Sequence, residues 1–309
     1  MLLQDNSEHR FKIDQRGGVV MFKRAIVASD FSKESMALVI SSGGLKGFGT
    51  EEILLLQFWG TLDVLGVDSF YKPTVYEDFD RNLQKQKSIL ESQGFKVETR
   101  VLEGLSASQV NEIAVDENYS LISVGSDRHV FSSMANELIH NAKKPTYIFK
   151  SSDGKSAEEY GHYKLSGAVA DHVLFATDFS KNSEVAFNYL IEMIPLVKNK
   201  VSIIHVQDEY RISPYLDDKI EEFNRIDSER LEGMKKVLID KGCPCVEVVL
   251  KYGSPSSEIL KSVKELSAQM VVMGSQGRGF VTEFFLGSVS HNIARQSPVP
   301  VMLIPAKRQ

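Results

Sequence analysis

The chain has 309 residues, 42% of them hydrophobic and 25% charged, which is long for one core and suits two soluble globular domains. Its 36 basic residues against 41 acidic ones leave a net charge of −5, so it lacks the positive field that nucleic acid or an anionic membrane surface rewards. No apolar run reaches the roughly 18 residues of a membrane-spanning helix, and the opening MLLQDNSEHRFKIDQRGG lacks the apolar core of a signal peptide, so a cytoplasmic protein is expected.

After an N-terminal extension over residues 1–20, the first apolar strand lies in FKRAIVASDFSKES and runs into Asp30. A second strand, EILLLQF, ends at Phe58, and a third alternates through Phe95, Val97, Thr99 and Val101 as a less covered edge strand would. LISVGS with Gly125 and TYIFK from Thr146 complete a first domain over residues 21–150. Residues 151–170 are rich in Ser, Gly and charge without apolar periodicity and read as a linker. Gly154-Lys155-Ser156 within it is no P-loop, because Phe149 stands where the first glycine belongs.

The second domain, residues 171–307, repeats this order. DHVLFATDFSKNS places Asp178 at 148 positions from Asp30, and VSIIHV ends at Val206, again 148 positions from Phe58. Gly253 and Gly274 follow Gly104 and Gly125 by 149. Ala186, Leu190, Met193, Ile194 and Val197 recur at helical spacing after a cap at Ser180, and Val246, Val248 and Leu250 mark an edge strand. Cys243 and Cys245, around Pro244, are too close in sequence for an ordinary disulfide and read as reduced thiols. Strands alternating with helices predict, in each half, a parallel sheet with helices on both faces.

With strand order 3-2-1-4-5, a ligand crevice opens between the carboxyl ends of strands 1 and 4. In the second half these ends are Ala176-Thr177-Asp178 and Met273-Gly274, the latter opening the stretch GSQGRGFVTEFFLGS. Gly274, Gly277 and Gly279 are expected to turn with positive φ and present N–H groups to an anion, with Gln276 and Arg278 between them. Gly287-Ser288 then open a helix through Val289 and Ser290, whose N-terminus and serine hydroxyls suit phosphate oxygens. Asp178 accepts hydrogen bonds from ribose hydroxyls or an adenine amino group, though aspartate also caps helices. His205, inside an apolar run, reads as a satisfied core histidine.

The spacing G-x2-G-x9-G-S, met by Gly274, Gly277, Gly287 and Ser288, resembles the nucleotide motif of the universal stress protein family. ATDFS after strand 1, IIHV in strand 2 and the Gly253, Pro255, Ile259 segment accompany it. The resemblance covers both halves and implies a tandem of two flavodoxin-like (adenine nucleotide alpha hydrolase-like) α/β domains. It implies an ATP or AMP site, with Val206 supplying backbone contacts to adenine, Met273 flanking the base, and Mg2+ accompanying ATP. A stress-response sensor is the implied role, with weak ATP hydrolysis or a ligand-free protein scaffold as the alternatives. Family members pair through their last strands, so TYIFK and VMLIP are expected to pair antiparallel within the chain, as a pseudo-dimer that could itself dimerise.

The first half departs from this motif. Ser132 aligns with Gly287, leaving the loop after Gly125 six residues shorter than the one after Gly274, and Arg128 stands where Gly277 would be. A phosphate cradle is therefore expected in the second half alone.

Overall fold

The computed structural model describes residues 12–13, 19–29, 33–59, 72–103, 107–126, 133–150, 170–212, 216–277 and 286–306. Asp30, Gly104, Arg128, Ser132, the predicted linker apart from Ala170, Arg278 and Gly279 lie outside the described residues. A two-residue antiparallel ribbon, β1 (Lys12–Ile13) with β2 (Val19–Val20), precedes the first half.

That half consists of β3 (Arg24–Ser29), α1 (Lys33–Ser41), β4 (Glu52–Trp59), α2 (Lys72–Ser92), β5 (Lys96–Glu103), α3 (Ala107–Asp116), β6 (Leu121–Ser126), α4 (Ser133–His140) and β7 (Thr146–Lys150). The second half repeats the alternation with β8 (Ala170–Ala176), α5 (Lys181–Met193), β9 (Val197–Asp208), a short α6 (Glu209–Ile212), α7 (Ile220–Asp240), β10 (Val246–Gly253), α8 (Pro255–Glu265), β11 (Met270–Gly274), α9 (Ser288–Gln296) and β12 (Val301–Ile304).

Ten strands form one sheet in the order β10-β9-β8-β11-β12-β7-β6-β3-β4-β5, so each half has the predicted 3-2-1-4-5 order. Pairing is parallel within each half and antiparallel at the junction, where Val301, Met302 and Leu303 face Ile148, Tyr147 and Thr146. The central strands are buried on both faces and accordingly read as unbroken apolar runs, VLFA in β8 and MVVM in β11. Only β5 and β10 lie at the margins, and these are the two strands with alternating sequences.

Local chemistry sets the helix ends. Ser180 caps α5, its Oγ accepting the Ser183 N–H at 3.2 Å, while Pro255 occupies the first turn of α8, where its missing N–H costs nothing. Helix α5 stops at Met193, and Pro195 lies in the tighter turn that follows. Val197, expected on the helix, instead begins β9: its apolar side chain fits either periodicity, and the chain leaves the helix before it.

On one face a single core runs across the junction. Phe22 of the first half stacks on Tyr189 of α5, ring centroids 6.4 Å apart, and Phe48 packs edge-on against Tyr147 at 5.9 Å. On the other face Ile139 and Ile148 of the first half join Leu286, Ile293, Ala294 and Leu303 of the second. Among the described residues no helix is long and apolar enough to cross a membrane.

Because both faces of the junction are apolar and shared, urea unfolding is expected to be one transition, coincident by circular dichroism and fluorescence. Ile148 has no solvent exposure, so Ile148→Ala should lower the unfolding free energy by about 2–5 kcal/mol. Curves that separate between probes, or an unchanged midpoint in the variant, would contradict a shared core.

Candidate functional site

The carboxyl ends of β8, β9 and β11 and the N-termini of α8 and α9 surround a cavity of about 540 Å³, a volume suited to a small-molecule ligand. Ala176, Thr177 and Asp178 enter it from β8, Val206 from β9, Met273 and Gly274 from β11, Gln276 and Gly277 from the following loop, and Gly287, Ser288, Val289 and Ser290 from the start of α9. The predicted residues that are described thus converge on one place.

A compact hydrogen-bond network shapes the β8 end. Thr177 N–H donates to Ile204 O at 2.9 Å, the Thr177 and Ser183 hydroxyls lie 2.6 Å apart, and Phe179 N–H donates to Thr177 Oγ1 at 3.1 Å. Phe179 is held at φ 58, a left-handed conformation that costs a bulky residue on the order of 1–3 kcal/mol. Its ring compensates by packing at 4.5 Å on His205, with the Arg230 guanidinium 5.2 Å away on the π system. This kink directs the preceding Asp178, whose Oδ1 accepts the Ser180 N–H at 3.0 Å. Asp178 thus makes a local turn bond and lines the cavity, while the cap is Ser180.

The glycines are required for a different reason than the sequence implies. Neither Gly274 nor Gly277 has positive φ, and Gly287 has φ −63. What Gly274 and Gly277 lack is room: a Cβ on Gly277 would stand 2.7 Å from Asp178 Oδ2, and one on Gly274 would stand 3.2 Å from Asn182 O, whereas one on Gly287 would meet nothing closer than 3.6 Å. The strand-1 carboxylate and the glycine loop are therefore in close contact, and the bare backbone permits it.

Ser290 also departs from expectation. Its hydroxyl, assigned from sequence to phosphate, donates to Gly274 O at 2.9 Å and is buried. One proton serves one acceptor, so Ser290 ties α9 to the end of β11 instead. Gly287 N–H donates to Ser275 O at 2.9 Å in the same strap, and no side chain caps α9. The N–H groups of its first turn, which have no acceptor among the described residues, therefore lie with the positive end of the helix dipole on the cavity beside the exposed Ser288.

The opposite wall comes from α7, which sequence reading missed. Asp227 faces the cavity and is held by Gln207 Nε2 at 3.0 Å, with Arg230 3.7 Å away one turn on. His205 is buried as expected, its Nδ1 2.8 Å from Thr177 O, yet it too reaches the cavity surface, with Nε2 3.6 Å from Asp227. The i, i+3 pair Asp227/Arg230 was the available signal, but a charged helix face reads equally as solvated surface. Apolar Ile212, Phe223 and Ile226 line the same wall.

At the end of β3 the described residues make a different contact. Ser29, the counterpart of Thr177, donates to Gln86 of α2 at 2.9 Å, and both side chains are buried.

The universal stress protein family model matches residues 21–150 and again 170–305. The chain belongs to the universal stress protein family. As a tandem member it carries two such units, and a single-unit relative from Methanocaldococcus jannaschii is 29% identical over 154 residues, covering 44% of this chain and 94% of the relative. A universal stress protein from Archaeoglobus fulgidus, known from its crystal structure, has 27% identity and a TM-score of 0.67, covering 93% of this chain and 98% of that one.

In this universal stress protein Gly277→Ala should force the Asp178 carboxylate to rotate away from its Ser180 bond, at a cost of about 1–2 kcal/mol. A crystal structure of the variant checks this; an unmoved Asp178 rotamer would mean that the loop, not the aspartate, yields.

Proposed function

We propose that the second half binds an adenine nucleotide, ATP or AMP, and that the protein acts in stress response as a nucleotide-responsive sensor rather than a turnover enzyme. The observation that carries this is the pairing of opposite chemistries in one cavity. The first-turn amides of α9 and the glycine backbone supply N–H donors to the lining, and the carboxylates of Asp178, against the glycine loop, and of Asp227, on the α7 wall, supply acceptors.

Phosphate belongs with the amides and Ser288, where it meets N–H donors and the positive helix end. The carboxylates repel it and accept instead from hydroxyl and amino groups of a nucleoside. Val206 and Met273 offer apolar surface for a base. Gly277 fits the group by what it lacks, since any side chain there would take the space between Asp178 and the loop amides. Mg2+ accompanying ATP would be carried on the phosphates, because the described residues hold no cluster of three or more His, Cys, Asp or Glu that could bind it. The bound nucleotide supplies the signal. The protein supplies orientation and charge complementarity, and residues 21–150 serve as a structural partner domain.

Calorimetric titration with ATP and AMP in Mg2+ should show saturable binding that Gly277→Val weakens at least tenfold, about 1.4 kcal/mol. Phosphate release followed over hours should remain slow in the wild type and in Asp178→Ala. Absent binding would favour the scaffold reading, and rapid saturable release would make the protein an ATP hydrolase.

A further inference from the structure

Helix α9 is held from outside its own half. Lys150, the last residue of β7, is only 5% exposed, and its Nζ donates to Ala294 O and, at 3.2 Å, to Arg295 O in the last turn of α9. A buried ammonium is costly unless paired, and here its partners are carbonyls at the negative end of a helix dipole. One turn in from the other end, His291 Nε2 lies 3.0 Å from Asn136 Oδ1 of α4. The inner face of α9, Ile293 and Ala294, is buried in the core it shares with Ile139 and Ile148. The first half thus grips the base, the flank and the buried face of the helix whose free N-terminus lines the cavity.

We infer that Lys150 is a positioning residue for the phosphate end of the cavity, so that the first half, none of whose described residues is in the lining, sets how tightly the second half holds a phosphorylated ligand. This rests on the reading of the cavity as a nucleotide site. The mechanism is mechanical and electrostatic. Nine residues of helix make a rod on the order of 13 Å long, and its amides point correctly only while its base is fixed. The Ser290 bond to Gly274 and the Gly287 bond to Ser275 secure the near end to β11, but neither fixes the tilt about that attachment. Lys150 does so from the far end, across the junction between the halves.

The test separates phosphate affinity from general stability. Wild type, Lys150→Met, Lys150→Arg and Asn136→Leu are titrated with ATP and with adenosine at a temperature where circular dichroism shows each folded. Lys150→Met is expected to lose about tenfold in ATP affinity while adenosine affinity stays within twofold, because only the phosphate group meets α9. Lys150→Arg should restore ATP binding to within threefold, and Asn136→Leu, which keeps the lysine, should lose about threefold for ATP alone. Equal losses for both ligands would assign Lys150 a merely structural role, and unchanged ATP affinity in both Lys150→Met and Asn136→Leu would remove the coupling; either result overturns the inference. A wild type that binds ATP no better than adenosine would instead overturn the reading of the cavity's phosphate end, whatever the variants do.

Discussion

The three residue pairs joining Val301–Leu303 to Thr146–Ile148 determine most of what this molecule is. Without them each half would present an unpaired, largely apolar edge, a template for uncontrolled association. With them the exposed edges become β10 and β5, where Glu247, Lys251, Glu98 and Arg100 put charge along the margin. The junction also creates the two cores that neither half could complete, since Tyr189 needs Phe22 and Ile293 lies in a cluster with Ile148. The tandem arrangement is therefore a means of burying a sheet edge as well as a duplication.

Much of this was legible in the sequence, for physical reasons that can be named. The repeat set the architecture because strands buried on both faces must be nearly continuous apolar runs, and the two strands that alternate, β5 and β10, could only be margins. The antiparallel junction followed from the edge problem together with the family resemblance. Val197 misled because a β-branched residue after a helix satisfies both periods, and only the course of the backbone around Pro195 decides between them.

The cavity was half legible. The ends of β8 and β11 could be named because the strand-end aspartate and the full glycine spacing occur together, yet the positive φ expected of Gly274 and Gly277 is not what the structure has. A need for positive φ and a need for empty space leave the same letter in a sequence; only the 2.7 Å approach to Asp178 Oδ2 separates them. Ser290 lines the cavity while its hydroxyl bonds the Gly274 carbonyl, a partner that the sequence does not reveal because a hydroxyl at a helix start serves ligand or backbone equally well. Asp227 and Gln207 were missed because their pairing joins two elements 20 residues apart, and no local pattern records it. Phe179, forced left-handed between Asp178 and Ser180, gave no sign at all, since phenylalanine is among the residues least expected there.

Strand polarity reverses where β12 meets β7, and this fixes the directions from which the molecule can be approached. The strands of residues 170–304 end on one rim of the sheet, and those of residues 24–150 end on the opposite rim. No single small ligand can span Ser29 and Asp178. The cavity lies at the rim where α9 begins, and the strands of the first half end on the opposite rim.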